Sequence, residues 1–239
     1  ERKSRLISDK EKRLTAFHEA GHAVVANALP SITDPVHKVT IIPRGRAGGY
    51  TLILPTEDRM YRAKKELLDE VAMLLGGRAA EDLFLGDVTT GAQNDLERAT
   101  KLARRMVCEW GMSEKLGALT LGQKQHEVFL GRDLSHNPDY SQQIAFEIDT
   151  EIRRIIDEAY EKDRKILKDD KKRVEAIVAK LIEQETLEKD ELVQLLSKTF
   201  DSSKAVAATA KAEKKTKTTK KTRKPKLSDL PGKLRPAES

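Results

Sequence analysis

Residues 18 to 22 read His-Glu-Ala-Gly-His, and this spacing restricts the fold more than any other feature of the chain. On a helix, two side chains four residues apart project from one face a turn apart, so both imidazoles can reach a single metal ion. Glu19 lies beside that face, close enough to work on a metal-bound water without being a ligand. The flanking sequence supports the helix. Ser8 followed by Glu11 forms a capping box and Pro30 closes the far end, which predicts an amphipathic helix over about residues 9–29. Leu14, Phe17, Val24 and Ala28, with the small residues Ala20 and Gly21, supply its buried side. His and Glu are ordinary helix-surface residues, but a His pair enclosing Glu beside a packed apolar stripe is the arrangement of a hydrolytic zinc site.

The charge of the chain is unevenly spread, and that decides what it means. The formal net charge of the 239 residues is +6. Residues 201–239 hold twelve Lys and Arg against four acids, a net of +8, so residues 1–200 carry −2. That Lys-rich tail has too little apolar surface to offset its ordering entropy and is expected to be disordered. It has no interleaved aromatic residues on which bases could stack, so nucleic acid is not expected as a partner. Cys108 is the only cysteine, which excludes a disulfide framework and Cys-rich zinc clusters. No apolar run approaches the ~20 residues of a membrane-spanning helix, and the first ten residues are not a signal peptide. The chain is therefore expected to be soluble and, starting in charged sequence without an initiator Met, to be a piece of something longer.

Along the chain, residues 36–42 and 49–54 are β-rich and flank a Pro-Arg-Gly-Arg-Ala-Gly-Gly reversal, which predicts a small antiparallel hairpin or sheet. Its exposed edge could align an extended peptide through main-chain hydrogen bonds, or the sheet could simply pack on the first helix. Thr56 is expected to cap a second helix carrying Leu67, Val71 and Leu75, which stops or bends at Gly76-Gly77 before residues 78–81 resume helical character. Thr90 with Gln93 resembles a second capping box, starting a helix to about Glu109 with Asp95 in its second turn. Leu96, Ala99, Ala103, Met106, Val107 and Trp110 mark its core side, and Trp110 and Cys108 are expected to be packing residues. Residues 111–135 read as irregular, with His126, like His136 and His37, taken as an ordinary polar residue. From about Pro138 the stripe of Ile144, Ile148, Ile152, Ile155 and Ile156, followed by Val174, Ile177, Leu181, Leu192 and Leu195, predicts a C-terminal helical bundle or interface.

A catalytic zinc takes three protein ligands and leaves a fourth position for water, whereas a structural zinc closes all four and favours Cys. The two His need a third partner. Val25 and Ala28 stand where an extended H-E-x-x-H-x-x-G-x-x-H pattern needs Gly and His, so the third ligand comes from elsewhere. Carboxylates on the next two helices are the candidates, chiefly Glu66, Glu70, Glu81, Asp82 and Asp95, and spacing alone does not choose among them.

The run F-H-E-A-G-H-A-V-V, the hairpin with G-G-Y-T, the L-L-G-G-R-A-A-E-D turn and V-T-T-G-A-Q-N-D-L-E-R-A-T, in that order, resemble the proteolytic domain of FtsH-type, membrane-anchored AAA zinc metalloproteases over about residues 5–198. The resemblance implies a mainly α, zincin-like metalloprotease domain over residues 1–200, divided into a catalytic part, 1–135, and a C-terminal helical part, 136–200. It implies one zinc ion held by His18, His22 and Asp95, with Glu19 as general base and Glu81 in a supporting role. It further implies unfolded proteins or peptides as substrates and a homo-hexamer. The parent would be an ATP-dependent protein anchored in the cell inner membrane, its protease domain on the cytoplasmic side or in the organellar equivalent. No G-x-x-x-x-G-K-[ST] occurs in these residues, so ATP would act only through a separate ATPase domain.

Overall fold

The computed structural model describes residues 8–32, 34–45, 48–55, 59–122 and 140–197. Thr56, His126, His136 and the Lys-rich tail lie outside the described residues. Helices dominate: α1 (Asp9–Ala28), α2 (Lys64–Leu85), α3 (Gln93–Cys108), α4 (Gln142–Asp169), α5 (Lys171–Gln184) and α6 (Lys189–Leu196). Three short strands, β1 (Val36–Thr40), β2 (Tyr50–Ile53) and β3 (Thr186–Glu188), form one antiparallel sheet in the order β2-β1-β3.

α1 starts at the expected capping box: the Ser8 hydroxyl accepts from Glu11 N at 3.2 Å and the Glu11 carboxylate accepts from Ser8 N at 3.0 Å. Its middle is not amphipathic. Every residue from Ala16 to Ala26 except His22 is buried, while Ala28 is exposed. The reason is that α1 is the central element, packed against α2, α4, α5 and the sheet, and a helix surrounded on all sides has no solvent face. Phe17 stacks on Phe84 of α2 with ring centroids 5.4 Å apart.

α2 is one continuous helix and does not stop at Gly76-Gly77. The two glycines serve close packing. A Cβ on Gly21 of α1 would lie 2.5 Å from the Gly76 carbonyl oxygen and 2.6 Å from the Ala80 Cβ, so the two backbones touch where side chains normally intervene. α2 also begins later than Thr56 would place it. Its N-cap is Ala63, whose N–H donates to the Glu66 carboxylate at 3.1 Å.

β1 pairs with β2 from Val36↔Ile53 to Thr40↔Tyr50, with a register shift between Val36 and Lys38. On its other side β1 pairs with β3, a strand of three residues that the helical reading of the C-terminal region missed. The chain enters β3 through Glu185, which adopts a left-handed φ of 62° at the end of α5. The helices after residue 140 pack onto the earlier ones: α4 lies along α2 and α3, α5 lies against α1, and α6 against β1. Trp110 departs from its expected place in the core. It is 39% exposed, with the Arg105 guanidinium 4.5 Å above its ring, an arrangement in which the indole face attracts the cation from the solvent side.

The α1–α2 contact yields a stability prediction. Gly21→Ala forces a methyl against a backbone carbonyl that has no rotamer to yield with, and is expected to destabilise the chain by about 3 kcal/mol in urea unfolding. An unchanged unfolding midpoint would show that the two helices can separate without penalty.

Candidate metal centre

α1, α2 and the start of α3 meet around the His pair. The Nε2 atoms of His18 and His22 are 3.1 Å apart, and Asp95 Oδ2 lies 3.4 Å from the first and 3.6 Å from the second. Among the described residues, these three form the one group of His, Cys, Asp or Glu whose ligand atoms converge to metal-binding distances. A tetrahedral ion with bonds of about 2.0–2.1 Å keeps its ligand atoms about 3.3 Å apart, which the three observed separations bracket.

The far side of each ring is already engaged. His22 Nδ1 is 2.8 Å from the Met73 carbonyl oxygen, which can only accept, so this nitrogen carries the proton and Nε2 presents its lone pair inward. His18 Nδ1 is 2.7 Å from Glu81 Oε1. Glu81 is fully buried, and its other oxygen accepts from Thr89 N at 2.7 Å. Both rings are thus turned by acceptors on α2, and with neutral imidazoles three electron pairs face one another with no hydrogen between them. Such a set is stable only around positive charge, supplied by a proton or a metal ion. Gly77 lines this spot, where a Cβ would fall 2.6 Å from both Nε2 atoms, so the floor of the site needs a glycine.

The electrostatics agree. Burial opposes a charge on His18, but hydrogen bonds to Asp95 and Glu81 outweigh it and hold the imidazole up to about 9. Burial likewise works against the Asp95 carboxylate, yet its contacts with His18 and His22 keep it far below the usual carboxylate range. Glu81 is lowered as well, with burial outweighed by His18 and the Thr89 N–H.

Asp95 arrives in the first turn of α3, one turn earlier than its expected position, where its charge also suits the helix N-terminus. The residue that shapes this entrance is Thr89, not Thr90. Its hydroxyl accepts from Gly91 N at 3.2 Å at the head of a 3-10 turn over Thr90–Ala92, and α3 follows with no side-chain cap of its own. Of the other carboxylates weighed, Glu66 caps α2, Glu70 pairs with Arg62, and Asp82 accepts from Tyr160 and Arg164. His37 stands on β1, apart from the centre.

Glu19 is buried beside the His pair and burial, opposed by the nearby His charges, pushes its carboxyl up. Its Oε2 accepts from the Thr51 hydroxyl of β2 at 2.8 Å. A cleft of about 540 Å³ opens over the centre, bounded by α1, by Gly48 to Thr51 at the sheet and by Asn94 to Arg98 of α3. Among the described residues no helix is long and apolar enough to cross a membrane.

This geometry sits inside a region with close relatives. Residues 5–195 match peptidase family M41. The chain is 55% identical over 197 residues to an ATP-dependent zinc metalloprotease of Thermoanaerobacter sp. (strain X514), an alignment covering 82% of this chain and 32% of that protein. It is 57% identical over 196 residues to one from Symbiobacterium thermophilum, covering 82% and 31%. With one from Bacillus subtilis (strain 168) the identity is 53% over 196 residues, again covering 82% and 31%. The chain spans about a third of the length of these curated relatives. Since the matched stretch carries the His-Glu-Ala-Gly-His helix, the Gly76-Gly77 helix and the Asp95 turn together, this chain belongs to peptidase family M41, as an FtsH-type metalloprotease domain.

Proposed function

We propose that this chain is a zinc-dependent endopeptidase domain in which His18, His22 and Asp95 hold one zinc ion, Glu19 is the general base and Glu81 orients His18. The observation that carries this reading is the convergence of His18 Nε2, His22 Nε2 and Asp95 Oδ2 to within 3.6 Å of one another, set beside a buried carboxylate on the same helix as the His pair. A bound zinc supplies Lewis acidity, polarising a carbonyl oxygen and lowering the pKa of water to about 7. Glu19 takes the proton from the attacking water and returns it to the departing amine as the peptide bond breaks. Its burial favours the protonated form, which suits a base that must hold the proton between those two steps. Glu81, fixed by Thr89, keeps the His18 ring turned so that Nε2 faces the ion.

Substrate alignment fits the sheet. β3 occupies one edge of β1, which leaves β2 as the strand bordering the cleft. β2 packs on α1 and also offers main-chain groups to an extended peptide, so both uses weighed for this edge are compatible. Recognition through main-chain groups favours unfolded chains and broad sequence selectivity. The relatives are named ATP-dependent, and we propose that in a longer, membrane-anchored and hexameric protein an ATP-driven ring delivers unfolded soluble and membrane proteins to this cleft from the cytoplasmic side or the organellar equivalent.

Glu19→Gln is expected to retain zinc, by metal analysis, while cleavage of an unfolded casein-like substrate falls about 10²–10⁴-fold. Full activity in that variant would remove Glu19 from the chemistry. Glu81→Gln is expected to weaken zinc binding about 10–100-fold in a competition titration, because His18 loses its charged acceptor. Zinc uptake should also depend on pH. The zinc-free His18 holds its proton up to about 9, and that proton must leave before the ring can bind metal. Apparent affinity therefore falls as pH is lowered below about 9, read by chelator competition; a flat profile would contradict this. The same raised value, against 6.5 for the free group, means that the zinc-free fold has the stability from this contact below about pH 6.5 and loses it as pH rises through about 9.

A further inference from the structure

The base of the proposed reaction is held by a residue from a different element. Thr51 sits on β2 opposite Val39 of β1, on the sheet face that packs against α1. Val39 is fully buried there. Paired residues of an antiparallel ladder share a face, and the two-residue period of a strand puts Tyr50 and Leu52 on the other. Thr51 is thus the position of β2 that brings a polar atom over the α1 backbone at Glu19. Its hydroxyl reaches two acceptors of that one residue: Oε2 of the carboxylate at 2.8 Å and the main-chain oxygen at 3.2 Å. A hydroxyl that spans the backbone and the tip of the same side chain selects the rotamer between them. On the other side, Gly49 lies so close that a Cβ there would fall 3.0 Å from Oε1 and 2.4 Å from the Thr40 carbonyl oxygen. The carboxylate is enclosed between the Gly49 backbone and the Thr51 hydroxyl. Oε2 is engaged by Thr51, and Oε1 is the oxygen left to accept a proton.

We propose that Thr51 is a positioning residue for Glu19: its hydroxyl fixes the carboxylate rotamer and couples the placement of the base to β2, the strand that borders the cleft. A β2 pulled into register by an extended substrate carries Thr51 with it, so alignment of the peptide and orientation of the base become one event. This inference rests on the peptidase reading above.

The test compares Thr51→Val, which keeps the shape and removes the donor, with Thr51→Ser, which keeps the donor. Thr51→Ala serves as a second donor-free variant, and Glu19→Gln tests the underlying reading in the same assay. Steady-state cleavage of a quenched-fluorescent unfolded peptide and zinc content are measured for the full chain. Thr51→Val and Thr51→Ala are expected to lower kcat about tenfold or more, with KM within about twofold and zinc content unchanged, since misplacing a reacting group costs turnover rather than affinity. Thr51→Ser is expected to recover kcat to within about threefold of the parent chain, because it restores the donor to the same acceptor. Unchanged kcat in both donor-free variants, or an equal loss in the Ser variant, would overturn the positioning role. If Glu19→Gln cleaves as well as the parent chain, the failure belongs to the peptidase reading instead.

Discussion

The contact of α1 with α2 without intervening side chains is the constraint from which the site follows. Gly21 against Gly76 and Ala80 lets the two backbones meet, and Gly77 one residue on leaves room for both imidazoles. At ordinary helix spacing, Met73 O and Glu81 would not both reach the back of the His rings. α2 therefore acts as a template, with a carbonyl and a carboxylate about two turns apart turning two rings inward. What remains is one negative charge from outside the pair, and the Thr89 turn delivers it at the head of α3.

The same geometry explains why the site is costly to build. Glu19, Glu81 and His18 are buried, and Asp95 is largely covered. Buried ionisable groups survive only when paired or bonded. Here each carboxylate has a partner: Thr51 for Glu19, His18 and Thr89 for Glu81, and the two rings for Asp95. Removing one partner strands another group, so the centre behaves as a unit rather than as independent contacts.

Much of this was legible in the chain. The capping box of α1, the hairpin strands and the His pair are local features, decided by residues a few positions apart, and they lie within a residue or two of where spacing puts them. Asp95 was legible only through resemblance, because five carboxylates satisfied spacing and nothing local distinguishes the one that folds inward. Gly76-Gly77 was misread because glycine has two meanings. Locally it weakens a helix, but across a helix pair it permits contact, and the second meaning needs a partner more than fifty residues away. Thr89 rather than Thr90 shapes the α3 entrance because a 3-10 turn intervenes, which a one-step capping pattern does not anticipate. β3 is too short to show a two-residue period, and its identity as a strand comes entirely from β1. Trp110 escaped the core because an arginine on the solvent side of its ring accommodates it there.

The place of β3 has a consequence for the order in which the molecule becomes complete. Lys38 and Glu188 are paired across 150 residues of chain, so the sheet beside the His pair has both neighbours of β1 only once a very long loop has closed. The His pair, β2, Asp95 and their supporting acceptors all precede β3 in the chain. The strand that borders the cleft thus takes its place through a local pairing, while the far edge of the same sheet waits for a long-range one.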